Sequence, residues 1–428
     1  MSEPVDLLAV LHDTDVGISS PLDGAIGTFR RWLHLPDPGP LLAVLGAVAA
    51  NLLDGDPVWL LLVGPPGGGK SEILQSLSTL PNVHASATLT EAALLSGTPN
   101  KERATEAKGG LLRVIGDFGI IVAKDFGSVL SMNRDIRAAV LAALREIYDG
   151  SWTRHVGTDG GKTLSWSGKV GLVAGCTPTI DRHHSVMGAM GEGFVLFRLP
   201  AVDEEEHARR ALAHAGREAA MRRELAEAIG RVFSGGLTEP RELTESDRDR
   251  LIALTTFTVR CRSSIERDGY TREIELIPEP EAPTRLIVVL SRLLSGLDAI
   301  GVDRAQAWTV VRKASLDSIP ATRRAVIDTL LELGEPLATP KLAEQLGYPT
   351  ATAKRALEDL TAHGIVRRAA RGEGTRADTW DLTDRARQQL LAISDSEMSE
   401  GASALNLPLR AFDDKSESQH QLAAEAER

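Results

Sequence analysis

The chain lacks the marks of a cross-linked or membrane-embedded protein. Its 428 residues hold 2 cysteines, too few for a disulfide framework, so apolar burial must close the core. Cys176 and Cys261 are expected to be small buried residues rather than ligands. Near the N-terminus the longest apolar stretch, Leu41 to Leu53, falls short of a bilayer span, and no basic start precedes an apolar core of signal-peptide type. A cytoplasmic protein with no membrane partner is the expectation. No internal repeat is visible. His183-His184 and the pair His207 and His214 lack the spacing and the cysteine or carboxylate partners of a metal site. Positive charge is not in excess either. The net charge of −11 argues against wholesale coating of nucleic acid and leaves a local basic patch open.

What the chain does have is ample material for a core, with 43% hydrophobic and 25% charged residues. That length accommodates two or three domains. The most informative stretch is Gly64-Pro65-Pro66-Gly67-Gly68-Gly69-Lys70-Ser71, which fits the spacing G-x-x-x-x-G-K-[ST]. It follows Val58 to Val63, an apolar run suited to a buried parallel strand, and precedes Glu72 to Leu77, an amphipathic helical stretch. Glycines allow a tight turn and close backbone approach, so successive N–H groups can face phosphate oxygens. The helix start adds its positive dipole end. Lys70 is expected to reach the outer phosphates and Ser71 to hold Mg²⁺. The implied cofactors are ATP and Mg²⁺.

Around this loop the chain divides at composition shifts. Residues 1–37 form an N-terminal docking segment containing Phe29-Arg30-Arg31-Trp32-Leu33. Residues 38–200 form the phosphate-loop core, beginning with an alanine-rich helix over Leu41 to Leu53. Val83 to Leu89 reads as a second strand and Thr90 to Leu95 as a short helix. Gly119 to Phe126 is an apolar strand ending at Lys124-Asp125, where Asp125 would sit near the metal and the attacking water. A helix opens at Met132-Asn133 and runs through Ile147. Trp152 to Val156 and Thr163 to Trp166 flank Asp159-Gly160-Gly161 as a hairpin, and Gly171 to Pro178 is the next strand with a polar tip at Thr177. Residues 201–318 read as a charged, helical lid with no active site of their own.

This succession of acid-tipped strand, helix, hairpin and polar-tipped strand resembles the AAA+ ATPases, and within them the group with a hairpin before the sensor strand, typified by the MCM replicative helicases. The resemblance covers about residues 40–315. It implies an α/β fold: a P-loop NTPase parallel sheet with a helical lid. By that resemblance Thr177 is the first sensor, and Arg285 is a second sensor touching the γ-phosphate from the lid. The hairpin would carry Arg154 and Lys162 to DNA in the channel of a homo-oligomeric ring. The sequence departs from the family at two places. Lys124-Asp125-Phe126 stands where Asp-Glu is usual, so either Asp125 holds the metal and the water-polarising Glu is missing, or Asp125 fills the Glu position. Gly193-Phe194 stands where a trans-acting arginine is expected, leaving Arg198, Arg182 and Arg134 as nearby candidates.

After Ile319-Pro320, residues 319–393 resemble an α+β winged helix-turn-helix: helices over Ala321 to Leu333, Thr339 to Gly347 and Thr350 to His363, then a wing of Ile365 to Arg368 and Thr379 to Leu382. Thr339 is expected to cap the second helix, with Pro340 at its first position. Thr350, Thr352, Lys354 and Arg355 stand near the start of the reading helix. Arg367, Arg368, Arg371 and Arg376 suit phosphate contacts from the wing. Residues 394–428 are rich in Ser, Glu and Ala and read as a disordered tail. The expected function is an ATP-hydrolysing, DNA-associated motor of helicase or replication-initiator type. The alternative is a slowly hydrolysing, nucleotide-switched DNA-binding regulator.

Overall fold

The computed structural model describes residues 20–96, 109–157, 161–184, 193–201, 203–369 and 378–394. The expected tail from residue 395, the hairpin turn Thr158–Gly160, and Arg371 and Arg376 of the wing lie outside these residues.

Helix α1 (Pro21–Trp32) and helix α2 (Gly39–Leu52) lead into β1 (Trp59–Val63). Then come α3 (Lys70–Gln75), β2 (Val83–Ser86), α4 (Glu91–Leu94), α5 (Leu111–Ile115), β3 (Phe118–Ala123), α6 (Gly127–Leu130) and α7 (Arg134–Tyr148). A hairpin of β4 (Ser151–Val156) and β5 (Lys162–Ser167) precedes β6 (Lys169–Cys176) and β7 (Phe194–Arg198). Strands β2-β3-β6-β1-β7 form one sheet in that order, every pairing parallel. The central strands are apolar apart from Lys169 at the start of β6, as a sheet covered on both faces requires. All five residues of β1 are buried.

Helix α2 is packed on every side, buried from Gly39 to Asn51, because it lies between the sheet and the lid. Its end is pinned by Asn51, whose Nδ2 donates to the Ala47 and Val58 carbonyls while its Oδ1 accepts from the Val58 amide. This buried side chain thereby sets where β1 begins.

The lid comprises α8 (Glu204–Ala213), α9 (Glu218–Ser234), α10 (Glu245–Arg262), α11 (Thr284–Ala299) and α12 (Arg304–Asp317). Helix α11 crosses α2 at Gly46 and Gly296. A Cβ on Gly296 would collide with the Gly46 carbonyl oxygen and stand 2.6 Å from the Ala50 nitrogen. One on Gly46 would stand 2.7 Å from the Leu297 side chain. Helix α10 starts in a capping box of Thr244 and Asp247. Asp247 also accepts from Trp308 Nε1 at 2.9 Å and from Arg304 at 2.8 Å. Burial alone would raise this carboxyl's pKa, but Arg304, Thr244 and Trp308 together hold it down at about 2. The lid also contains a feature not anticipated from sequence, a short hairpin of β8 (Glu266–Arg267) and β9 (Ile274–Leu276). Its two and three residues are too few for a periodic signal.

The C-terminal domain has α13 (Ala321–Leu333), β10 (Leu337–Ala338), α14 (Thr339–Leu346), α15 (Thr350–Ala362), β11 (Val366–Ala369), β12 (Thr379–Leu382) and α16 (Asp384–Ile393). The strands pair antiparallel in the order β10-β12-β11. Thr339 does not cap α14 as expected. Ala338 occupies the cap position, and the Thr339 hydroxyl instead accepts from Trp380 Nε1 at 2.9 Å. Helix α16, also unanticipated, packs on α10, where Gln389 Nε2 meets Thr256 Oγ1 at 3.0 Å.

The close crossing of α2 and α11 yields a testable contrast. Gly296→Ala should destabilise the fold by about 1–3 kcal/mol through overpacking. Gly230→Ala, in a helix where a Cβ meets nothing within 4 Å, should stabilise it by roughly 0.5–1 kcal/mol. Denaturant melts of the two variants check both signs.

Candidate nucleotide and DNA sites

The glycine-rich loop joins the C-terminal end of β1 to the first turn of α3. Its path requires glycine at two places. Gly67 and Gly69 have φ of 77° and 81°, and a Cβ at either would meet nothing nearby, so the constraint there is backbone conformation rather than space. Gly64 is constrained by space instead, since a Cβ would stand 2.6 Å from Leu199. Lys70 opens α3 with its Nζ turned back into the loop, donating to the Gly64 and Pro65 carbonyls at 2.7 Å each. Burial lowers its pKa, while Cys176 and Asp125 act in the opposite sense. Ser71, Pro65, Pro66 and Gly67 are exposed, and Gly68 is half-exposed. His207 of α8 reaches the Gly67 carbonyl at 3.0 Å, and Arg222 of α9 grips Glu72 with two bonds of 2.9 and 3.1 Å. The lid thus touches both the loop and the helix behind it, contacts for which the sequence offered no signal beyond charge.

Asp125 and Thr177 stand at the same edge of the sheet. The Gly64 amide donates to the Cys176 carbonyl at 3.1 Å, which puts Thr177 beside the loop. The Thr177 hydroxyl lies 2.6 Å from that of Thr179. Asp125, exposed just beyond β3, accepts the Gly127 amide at 2.9 Å through Oδ1. Lys124 is directed elsewhere, to Gln75 Oε1 at 3.0 Å. The Ser71 hydroxyl and the Asp125 carboxylate are hard oxygen donors, which suits Mg²⁺. Among the described residues no group of three or more His, Cys, Asp and Glu side chains could hold a metal by itself. A cation there would be held by one or two protein oxygens together with phosphates, the usual arrangement for Mg²⁺.

Several expected site residues lie elsewhere. Arg285 does not reach the phosphate loop within the chain. It stacks on Tyr148, 5.3 Å from the ring centre, and pairs with Asp149 at 3.3 Å. It also lines a cleft of about 570 Å³ with Gly55, Pro57 and Lys169, at the end of the sheet where β1 and β6 begin, because α11 enters there. Arg154, expected to meet DNA from the hairpin, has its guanidinium donating to the Leu95 carbonyl at 2.7 Å. Lys162 is half-buried at the far end of β5, opposite Val156. Arg134 is exposed in the first turn of α7.

Arg198 is an internal tie. It makes two bonds to Asp181 at 2.7 and 2.8 Å and one to the Asp317 carbonyl at 3.0 Å. Asp181 also accepts the Ala321 amide at 3.1 Å. The tip of β7, the turn after Thr177 and the entrance to the C-terminal domain therefore meet at one ion pair.

In the C-terminal domain, Thr350, Lys354 and Arg355 are exposed on α15 and Thr352 is half-buried. Lys354 stands 3.7 Å from Glu358 one turn on. The two described wing arginines are exposed and paired, Arg367 with Asp384 at 3.2 Å and Arg368 with Asp378. Helix α15 is also held at its far half. Arg267 of the lid hairpin bonds Glu358 at 2.9 Å and Asp359 at 2.6 Å, and Arg323 bonds Asp359 at 2.9 Å.

Two predictions follow from these ties. Arg198→Ala should cost about 1–3 kcal/mol and raise amide exchange across residues 317–323, which mass-spectrometric exchange would reveal. His184 packs beneath the domain junction with Nε2 bonded to the Arg262 carbonyl. Burial, then Arg323, pushes its pKa down to about 4. The unfolded chain binds this proton near pH 6.5 and the folded one does not. Stability is therefore full above about pH 6.5 and declines as pH falls toward 4. His84 and His363, lowered chiefly by burial, act in the same direction. Melting temperature against pH should drop across that window, less steeply in His184→Gln.

Comparison with known proteins bears on the C-terminal part. No curated protein matches the chain. Among solved structures, the apo A form of the NrS-1 C-terminal region is similar at 9% identity, over 84% of this chain and 75% of that one, with a TM-score of 0.24; that score is too low to carry an argument. Residues 325–370 match the model of the IclR helix-turn-helix domain, spanning α13 to β11. That segment is a DNA-binding helix-turn-helix domain of the IclR type.

Proposed function

We propose that the chain is an ATP- and Mg²⁺-binding protein of AAA+ type that associates with DNA through its C-terminal domain, acting as a nucleotide-switched DNA-binding regulator with slow hydrolysis. The observation that carries the nucleotide half is the loop itself. Two left-handed glycines precede a buried lysine at a helix start, and Asp125 and Thr177 stand at the same sheet edge. That edge is the carboxyl end of a parallel sheet, beside the strand over which the chain crosses from β6 to β7. Ligands favour such a crossing point.

Slow turnover is favoured by the tip of β3. Its one carboxylate, Asp125, is engaged with the Gly127 amide, and Lys124 is turned to Gln75. No second acid at that tip is available to orient water, the task that carries much of phosphoryl-transfer catalysis. A motor is the second reading, supported by the β4–β5 hairpin. It has less support because Arg154, Arg198 and Arg285 all have partners within the chain.

Titration calorimetry with ATP and Mg²⁺ should detect binding to the wild-type chain. Lys70→Ala should weaken it by roughly tenfold to a hundredfold, the loss of charge-assisted phosphate bonds. Turnover should stay below about 1 s⁻¹ with or without DNA. Strong stimulation by DNA that vanishes in Lys70→Ala would replace the switch with the motor, and absence of ATP binding would remove both.

A further inference from the structure

Between the tip of the phosphate-loop core and the reading helix lies an open cleft of about 280 Å³. The core side contributes Asp181 and Arg182, and the C-terminal domain contributes Thr322, Thr352, Arg355 and Asp359. Its charge can be counted pair by pair. Asp181 is neutralised by the two-bond grip of Arg198, and Asp359 by Arg267 and Arg323. His184, also on the wall, stays uncharged at neutral pH. Arg182 and Arg355 remain. Both are exposed, and among the described residues neither guanidinium has a carboxylate or hydrogen-bond partner; Arg355 is engaged only through its backbone carbonyl, which accepts from Arg267 at 3.4 Å. Two guanidinium groups with no partner among the described residues therefore line one cleft from different domains, together with Thr322 and Thr352.

We propose that this cleft binds a phosphodiester of the DNA backbone, gripped jointly by Arg182 of the core and Arg355 of the reading helix. The proposal rests on the DNA-binding reading of the C-terminal domain and adds a contact outside that domain. Guanidinium forks and hydroxyls are the usual partners of backbone phosphates. Thr350 and Lys354 are exposed on the same first turns of α15 that supply Thr352 and Arg355 to the cleft, so a duplex lying on that helix would carry its backbone past the opening. A free phosphate would satisfy the same groups, but only a polymer also spans the helix surface beside them.

Arg182 further gives the grip a route from the nucleotide site. It adjoins Asp181, which holds the Ala321 amide and Arg198, and it stands five residues beyond Thr177. A shift of the turn after Thr177 would carry Arg182 with it. DNA affinity would then depend on what occupies the phosphate loop without any movement inside the helix-turn-helix domain.

The test is fluorescence anisotropy of the full chain with a labelled mixed-sequence duplex, repeated over a salt series. Sequence need not be known, because backbone contacts bind any duplex. Arg182→Ala and Arg355→Ala should each weaken binding about fivefold to tenfold and each make the slope of log K against log salt shallower by about 0.9. The double variant should lose less than the two losses combined, since both arginines serve one phosphate. Arg113→Ala, an exposed arginine on α5, should leave both readouts unchanged. Wild-type affinity and slope in Arg182→Ala, alongside a loss in Arg355→Ala, would overturn the cleft and leave the helix-turn-helix reading intact. Strictly additive losses would place the arginines on separate phosphates and overturn the joint grip. Direct binding of inorganic phosphate at millimolar concentration that Arg182→Ala abolishes, with DNA affinity untouched by the same change, would identify a small-anion site instead. No binding of any duplex by the wild-type chain would overturn the DNA reading itself.

Discussion

One guanidinium, that of Arg198, holds the molecule's two halves in register. Through Asp181 it fixes the turn that follows the sensor-position strand. Through the Asp317 carbonyl it fixes the end of the last lid helix. Asp181 in turn anchors the first amide of the C-terminal domain. A half-buried ion pair that also satisfies backbone groups differs from a surface pair, which contributes little. Removing one member would leave a carboxylate and a carbonyl without their donor. The Ile319-Pro320 junction is therefore a braced joint rather than a free linker, and the reading helix has a defined position relative to the phosphate loop.

Two further ionic ties extend that definition. Arg323 reaches from α13 to Asp359 on the reading helix and also donates to the Cys261 and Ser263 carbonyls at the end of α10. Arg267 reaches the same helix from the lid hairpin. The acids Glu358 and Asp359, which dilute the basic character of the helix in sequence, are consumed by these contacts. What they leave exposed is its N-terminal half, the part such helices present to base edges. Composition alone gives an acidic chain, whereas pairing leaves a local basic surface.

Most of the architecture was legible from local signals. The strand, loop and helix around Lys70, the acid-tipped β3, the β4–β5 hairpin and the three helices with their wing follow from periodicity and turn chemistry that tertiary context did not override. The partners of long side chains were not legible. Arg285, Arg154, Arg367 and Arg368 were assigned roles by position along the chain, with Arg198 one of three nearby arginine candidates, and each has a partner far away in sequence or across a turn. A side chain with a long reach takes its role from whichever carboxylate or carbonyl folding brings near, and no local pattern records that. The β8–β9 hairpin escaped for a different reason, since strands of two and three residues cannot show a period.

The crossing of α2 and α11 has a mechanical consequence. Where Gly296 meets α2, it lies directly against the Gly46 carbonyl and the Ala50 amide nitrogen, so no side chain is interposed there to take up a displacement. Two helices seated in this way behave as a keyed joint: sliding along either axis drives one residue's backbone into its neighbour's Cβ, because Ala47, Ala50 and Leu297 flank the glycines. Helices α2 and α11 therefore move together. Relative movement is easier where contacts are made by long side chains, as between the β8–β9 hairpin and α15 through Arg267.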